Sequence, residues 1–154
     1  MNTNLVTFRE ATLQDLNKIV YLLSHDVLGK TREVYTEPLP ERYITAFQAI
    51  NSDPNNKLIV ACYGEEVVGV QQVTFTPYLT HQGGWRATIE GVRVESSERG
   101  KGVGSMLIGW AIQCAKERGC QMVQLTTDKQ RPEALHFYEK LGFKATHEGL
   151  KLHL

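Results

Sequence analysis

Neither sign of charge is in excess. Seventeen lysines and arginines balance seventeen aspartates and glutamates in 154 residues, so no global field draws a polyanion and nucleic acid is not an expected partner. Any anion must be held by a local device. Long apolar runs are missing as well: no stretch is apolar enough to span a bilayer, and no membrane partner is expected. Met1 to Glu10 lacks a basic segment followed by an apolar run and a small-residue cleavage site, which predicts a cytoplasmic protein. Cysteine is scarce, and Cys62, Cys114 and Cys120 are odd in number without metal-ligand spacing; they read as reduced thiols, most of them packed in the core. The histidines have no zinc spacing, so no metal is expected. Repeats, low-complexity tracts and linkers are absent, which leaves no boundary for a second domain. Residues 1–154 are read as one domain, with 42% hydrophobic composition to supply one core. The oligomeric state is not fixed, and a homodimer stays open.

What is present organises into alternating signals. Leu5 to Arg9 alternates apolar and polar residues as a strand does, and Thr12 precedes Leu16, Ile19, Val20 and Leu23 at helical spacing. From His25 to Pro40 the periodicity is lost around Gly29, Pro38 and Pro40, giving a candidate substrate-binding loop, before Tyr43, Phe47 and Ile50 predict another helix. Lys57 to Tyr63 and Val67 to Phe75, joined by Gly64, Glu65 and Glu66, predict an antiparallel hairpin, and Trp85 to Val94 continues the sheet. Gly102 to Arg118 carries Val103, Leu107, Trp110, Ala111 and Cys114 on one helical face, with Gly119 where a C-terminal glycine is expected. Met122 to Thr126 reads as a buried strand, Pro132 to Leu141 as a helix begun by proline, and Phe143 to Leu154 as a terminal strand pair. The class is mixed α/β (α+β), with meandering strands first.

Between the strand ending at Val94 and the helix lies Arg99-Gly100-Lys101-Gly102-Val103-Gly104-Ser105. Alternating glycines let the backbone curl so that successive N–H groups point inward, and the helix N-terminus adds partial positive charge where phosphate oxygens can rest. Arg99 and Lys101 would add charge nearby. A dinucleotide-binding fold is excluded because its fingerprint needs a small residue where this chain has Leu107 and needs further βαβ units than the remaining chain holds. A Walker loop fails for want of Gly-Lys-Ser/Thr.

With these residues the chain resembles the GNAT superfamily of N-acetyltransferases. The family pattern of Arg or Gln, two residues, Gly, one residue, Gly or Ala is matched by Arg99, Gly102 and Gly104, directly after a strand bearing Val92 and Val94. A second motif, Ala-x-x-Phe-Tyr-x-x-x-Gly-Phe, is matched by Ala134, Phe137, Tyr138, Gly142 and Phe143. Many members carry Asn three residues before that Ala, where this chain has Arg131 followed by Pro132. The segment from Ile89 onward also resembles the branch containing aminoalkylphosphonate acetyltransferases. The resemblance implies a GNAT-like acyl-CoA N-acyltransferase fold, a mixed central sheet splayed at the fourth and fifth strands with flanking helices. It implies acetyl-CoA as cosubstrate, with Val92, Arg93 and Val94 pairing with the pantetheine arm and the turn Arg99, Gly100, Lys101, Gly102, Val103, Gly104 and Ser105 holding the pyrophosphate. Arg131 is expected to contact the coenzyme in place of the family's Asn.

The implied reaction is acetyl transfer to a primary amine, on a small molecule, by direct attack in a ternary complex. A protein or peptide acceptor and a non-catalytic acyl-CoA sensor are the alternatives. An alkylamine with a pKa of about 10.4 must lose a proton before attack. Glu90 either relays that proton through water or is a solvated strand carboxylate. Tyr138 is the family's candidate partner for the departing thiolate. Its safer role is hydrogen bonding in the transition state, since a phenol is a weaker acid than a thiol. His81, Gln82 and Trp85 form either an acceptor-recognition loop or a surface turn around Gly83 and Gly84, and His136 is read as capping or packing.

Overall fold

A short apolar–polar alternation opens the chain as strand β1, Val6–Glu10. The computed structural model describes residues 5–154. Thr12 precedes a single 3-10 turn, Leu13–Asp15, before helix α1, Leu16–Ser24. Asp15 explains the interruption: its carboxylate accepts two bonds from the Arg9 guanidinium at 2.6 and 2.9 Å and one from the Thr12 backbone N–H at 2.7 Å. Those bonds, Arg9's first, hold the Asp15 carboxyl below the usual carboxylate range. The span from His25 to Pro40 is less irregular than its sequence predicts, because it contains one helical turn, α2, Gly29–Arg32. Helix α3 follows at Glu41–Ser52, and strands β2, Asn56–Tyr63, and β3, Glu66–Pro77, form the predicted hairpin. A one-turn element α4, Thr80–Gly83, leads into strand β4, Trp85–Val94. Helix α5, Val103–Glu117, strand β5, Met122–Leu125, and helix α6, Pro132–Lys140, complete the order.

The sheet runs β1-β2-β3-β4-β5 and is antiparallel through β4. β5 lies parallel to β4, with Gln121 N–H donating to Trp85 O at 2.9 Å and the Gln124 amide donating to the Thr88 hydroxyl at 3.1 Å. One face packs on α1 and α3 through Leu16, Ile19, Val20, Phe47, Val60 and Val70. The other packs on α5 through Ile59, Ala61, Val68, Val103 and Leu107. Fully burying a side chain of the size of Leu107 or Ile108 stabilises by about 1.5–3 kcal/mol. The buried stripe of α5 includes Ile108 and Ala115. Trp110 and Cys114, predicted on that stripe, lie at its margin and are only half-buried.

The chain divides into a first unit ending at Gln124 and a second running from Leu125 to Leu154. Three expectations are corrected. β5 is not a buried strand: Met122 is exposed and the rest is half-buried, and among the described residues the strand has a neighbour on one edge only. The terminal strand pair is not formed, since no strand occurs from Phe143 to Leu154. Leu150, Leu152 and Leu154 keep the period of two but stand exposed. Alternation yields a strand only where a partner edge supplies hydrogen bonds. Of the cysteines only Cys62 is fully buried, while Cys114 and Cys120 are half-buried; all three are free. Desolvation still pushes all three thiols above their ordinary value.

Candidate active site

β4 is interrupted where the predicted site begins. Gln72 pairs with Glu90 and Val70 with Arg93, so the single residue Gln71 faces both Gly91 and Val92. This two-against-one count is a β-bulge, and its first residue, Gly91, has φ +62, a left-handed conformation that glycine adopts without strain. The bulge re-aims Val92, Arg93 and Val94 relative to the strand before it. β5 has only four residues and has reached Gln124 by the level of Thr88, so on that side β4 runs on beyond its neighbour. An edge of this kind presents backbone N–H and C=O groups to an extended partner. Behind the bulge, Gln71 is fully buried, and its amide donates to Leu107 O at 2.7 Å, linking β3 to α5.

The strand beyond the bulge is braced from α1 and from the link that follows it. Arg93 Nε lies 2.7 Å from Asp26 Oδ2, with both side chains almost buried, and Lys18 is paired with Glu95. Tyr21 stacks on His25 with centroids 3.8 Å apart, and Tyr35 meets both rings edge-on. Tyr43 donates to Glu33 at 2.8 Å and accepts the Val34 N–H at 3.0 Å. Desolvation is the main cause that raises the Tyr43 phenol above its ordinary value. The segment predicted as a substrate loop is therefore fixed by side-chain bonds to the helices on either side of it.

A short 3-10 turn, Ser96–Glu98, carries the chain from Val94 into the glycine turn. Gly100 has φ +78 and Gly102 φ +87, and no atom lies within 4 Å of a Cβ built at either. The turn is thus open on its outer side, and glycine is required for its backbone angles. The first intrahelical bond of α5 is Met106 N–H to Gly102 O at 3.0 Å, so the N–H groups of Val103, Gly104 and Ser105 precede the helical ladder. This arrangement fits a pyrophosphate. The flanking cations differ from expectation in their partners: Lys101 Nζ is 3.2 Å from Glu98, and Arg99 Nε donates to Val94 O at 3.3 Å.

Glu90 is exposed on the strand just before the bulge. Glu90, Val92 to Val94 and Arg99 to Ser105 are thereby brought into one continuous stretch of the first unit. His81 and Gln82 occupy left-handed backbone at φ 53 and φ 60, and Trp85 is partly exposed at the head of β4. In the second unit Arg131 caps α6 at its N-terminus with Pro132 following, and Tyr138 packs edge-on against Phe137 at 5.1 Å and Phe143 at 5.9 Å. His136 is exposed on the same helix. Sequence reasoning missed Asp26, Gln71 and Gly91. A lone glycine inside a strand pattern was the available signal for the last of these. Among the described residues no group of three His, Cys, Asp or Glu could hold a metal ion, and no helix is long and apolar enough to cross a membrane. A cleft of about 230 Å³ between β2 and α3, lined by Lys57, Asn51 and Arg118 among others, contains none of the predicted site residues.

Comparison with known proteins bears on this stretch. The model of the acetyltransferase (GNAT) family matches residues 24–143. The chain is 30% identical over 139 residues to the aminoalkylphosphonate N-acetyltransferase of Salmonella typhimurium, covering 90% of this chain and 85% of that protein. It is 31% identical over 138 residues to the glucosamine 6-phosphate N-acetyltransferase of Candida albicans, covering 90% and 89%. A crystal structure described as a transcriptional regulator from Bacillus halodurans is 65% identical, covers 97% of this chain and 100% of that one, and superposes with a TM-score of 0.96.

Proposed function

The chain belongs to the acetyltransferase (GNAT) family and is an N-acetyltransferase, and from that premise we propose that it moves the acetyl group of acetyl-CoA to the primary amine of a small molecule bearing an anionic group. The observation that carries the reading is the run from Gly91 to Ser105, in which a bulged strand edge passes within one short turn into glycine backbone and the open N-terminus of a 15-residue helix. Thioester, pantetheine and pyrophosphate present the matching needs in the same order. The anionic acceptor is supported by two relatives that act on an aminoalkylphosphonate and on glucosamine 6-phosphate. Residues 1–154 act as one domain in this proposal.

In the proposed reaction Val92, Arg93 and Val94 pair with the pantetheine arm, and Arg99 to Ser105 hold the pyrophosphate on backbone N–H groups. Arg131 contributes a further coenzyme contact. Glu90 takes the ammonium proton through water, and the freed lone pair forms the C–N bond at the thioester carbon. A backbone N–H released from sheet pairing at the bulge stabilises the oxyanion without reorganising. The oxyanion re-forms its C=O bond as the C–S bond breaks, with Tyr138 hydrogen-bonding to sulfur as negative charge develops there, and one of the two protons on the attacking nitrogen passes to sulfur, giving the amide and the coenzyme A thiol.

The test is thiol release from acetyl-CoA across aminoalkylphosphonates, glucosamine 6-phosphate, glucosamine, polyamines, amino acids and peptides. Turnover confined to anionic small amines is expected; preference for peptides would redirect the acceptor assignment. A second reading, an acyl-CoA sensor without turnover, is favoured by the regulatory description of the Bacillus halodurans structure. Acetyl-CoA binding without thiol release for any amine would establish it.

A further inference from the structure

The two faces of the β3–β4 pair differ in chemistry. On the α5 side Val73, Phe75, Ala87 and Ile89 are buried. On the opposite side the cross-strand pairs are Gln72 with Glu90, Thr74 with Thr88, and Thr76 with Arg86. All six side chains are polar; Glu90 is exposed and the other five are half-buried. Gln124 of β5 extends this surface by donating to Thr88 and accepting from Arg86 at 3.4 Å. A polar strip therefore runs down β4 from a carboxylate at the bulge to a guanidinium near the head of the strand.

Arg86 differs from most of the other fixed cations; Arg118, held by Asn55 Oδ1, Pro54 O and the face of Phe75, also has no carboxylate in these contacts, but it is exposed at the end of α5 whereas Arg86 is half-buried. Arg9, Lys18, Lys57, Arg93 and Lys101 are each paired with a carboxylate. The partners of Arg86 among the described residues are neutral: the Thr80 hydroxyl at 3.1 Å, the Gln124 amide oxygen, and the face of Tyr78, 4.1 Å from the guanidinium carbon. Those contacts use two of the five N–H donors and lock the plane of the group. A half-buried guanidinium held rigid without a counter-ion is arranged to receive one. Thr80, which it grips, opens the turn in which His81 and Gln82 are kept in left-handed backbone.

We propose that Arg86 recognises the anionic group of the acceptor, and that the strip from Glu90 to Arg86 is the acceptor subsite. The proposal rests on the amine-acetylation reading above. Four residues of strand separate the two ends by about 13 Å, which leaves roughly 6–12 Å between the acceptor's nitrogen and its anion. That span fits a hexosamine phosphate or a long-chain ω-aminoalkylphosphonate and exceeds a two-carbon aminophosphonate. His81 and Gln82 follow Thr80 at the anion end, whereas Trp85 alternates to the α5 side with Ala87 and Ile89.

The experiment compares the parent with Arg86→Gln and Arg86→Lys. Calorimetry measures affinity for glucosamine 6-phosphate, glucosamine, 5-aminopentylphosphonate and 2-aminoethylphosphonate, and thiol release is followed on the same samples. The parent is expected to bind glucosamine 6-phosphate and the five-carbon phosphonate at least about tenfold more tightly than glucosamine. Arg86→Gln should remove that preference and leave glucosamine and the two-carbon phosphonate unchanged. Arg86→Lys, which keeps the charge but loses the planar fork, should retain part of it. Better binding of the phosphonate than of the phosphate ester, or the reverse, tells which oxyanion the site takes. A parent without preference for the two long anionic amines, or an Arg86→Gln protein that keeps it, overturns the assignment. An equal loss for all four ligands overturns it too, and Arg86→Lys with full parent affinities would then point to a packing role. Absence of thiol release with the binding preference intact would refute the transfer reading and leave Arg86 in place.

Discussion

Replacing Gly91 by alanine tests whether the bulge in β4 is what makes the site. The added Cβ meets no steric obstacle, since its nearest neighbour would be Leu23 Cδ2 at 3.8 Å, an ordinary van der Waals contact. The cost lies in the backbone: at φ +62 an L-residue pays roughly 1–2 kcal/mol that glycine does not. If the bulge persists, the variant loses that amount of stability, equivalent to a fall in Tm of about 2–8 °C for a chain of this size. If the strand escapes the strain by expelling the bulge, the register beyond residue 91 shifts by one, and Val92, Arg93 and Val94 change faces. Arg93 would then leave Asp26, and the edge proposed for the pantetheine arm would be lost. Denaturant melts and acetyl-CoA turnover on the same preparations separate the two outcomes. Gly91→Asn calibrates them, because asparagine tolerates left-handed backbone better than alanine and should recover part of both stability and turnover. An alanine variant with parental stability, or an asparagine variant no better than alanine, would refute the argument that positive φ at Gly91 is required.

Three further outcomes follow from the same structure. Gly102→Val should weaken acetyl-CoA binding measured by calorimetry, since φ +87 is unsuited to a β-branched residue and the open space beside the turn would be filled; parental affinity in the folded variant would move the pyrophosphate elsewhere. Tyr138→Phe should leave acetyl-CoA affinity nearly intact and lower kcat by about 10²-fold, while the ring keeps its contacts with Phe137 and Phe143; equal turnover would leave Tyr138 a packing residue. Asp15 has a lowered carboxyl, so its contribution to stability is complete above the unfolded value of about 3.9 and disappears as pH falls through the lower folded value. Asp15→Asn should accordingly cost about 1–2 kcal/mol at neutral pH, the lower part of the range for charged hydrogen bonds because Arg9 is half-exposed, and the gap to the parent should narrow in melts below pH 4.

The parts of this protein legible in the sequence are those governed by neighbours along the chain. Periodicity located the hairpin, α5 and α6. The alternating glycines between Arg99 and Ser105 located the left-handed turn that leads into α5, because a helix N-terminus and the backbone leading into it are built from consecutive residues. The spacing around Tyr138 and around Arg99 carried the family. Where the sequence misled, the deciding force came from distant residues. Leu150, Leu152 and Leu154 have the pattern of a strand without a partner edge, and the apolar run at Met122 does not reveal that among the described residues its strand has one neighbour only. The bulge exists because β3 supplies one residue, Gln71, against two of β4; Gly91 within the strand pattern is a local hint of it, but the one-against-two count is set only by the pairing with β3. Likewise, Arg86 is one arginine among many until register sets it on the face of Glu90 and cross-strand packing surrounds it with neutral partners. Charge pairing between segments as far apart as Asp26 and Arg93 is set by tertiary packing, since a carboxylate and a guanidinium separated by that much chain meet only when the fold brings them together.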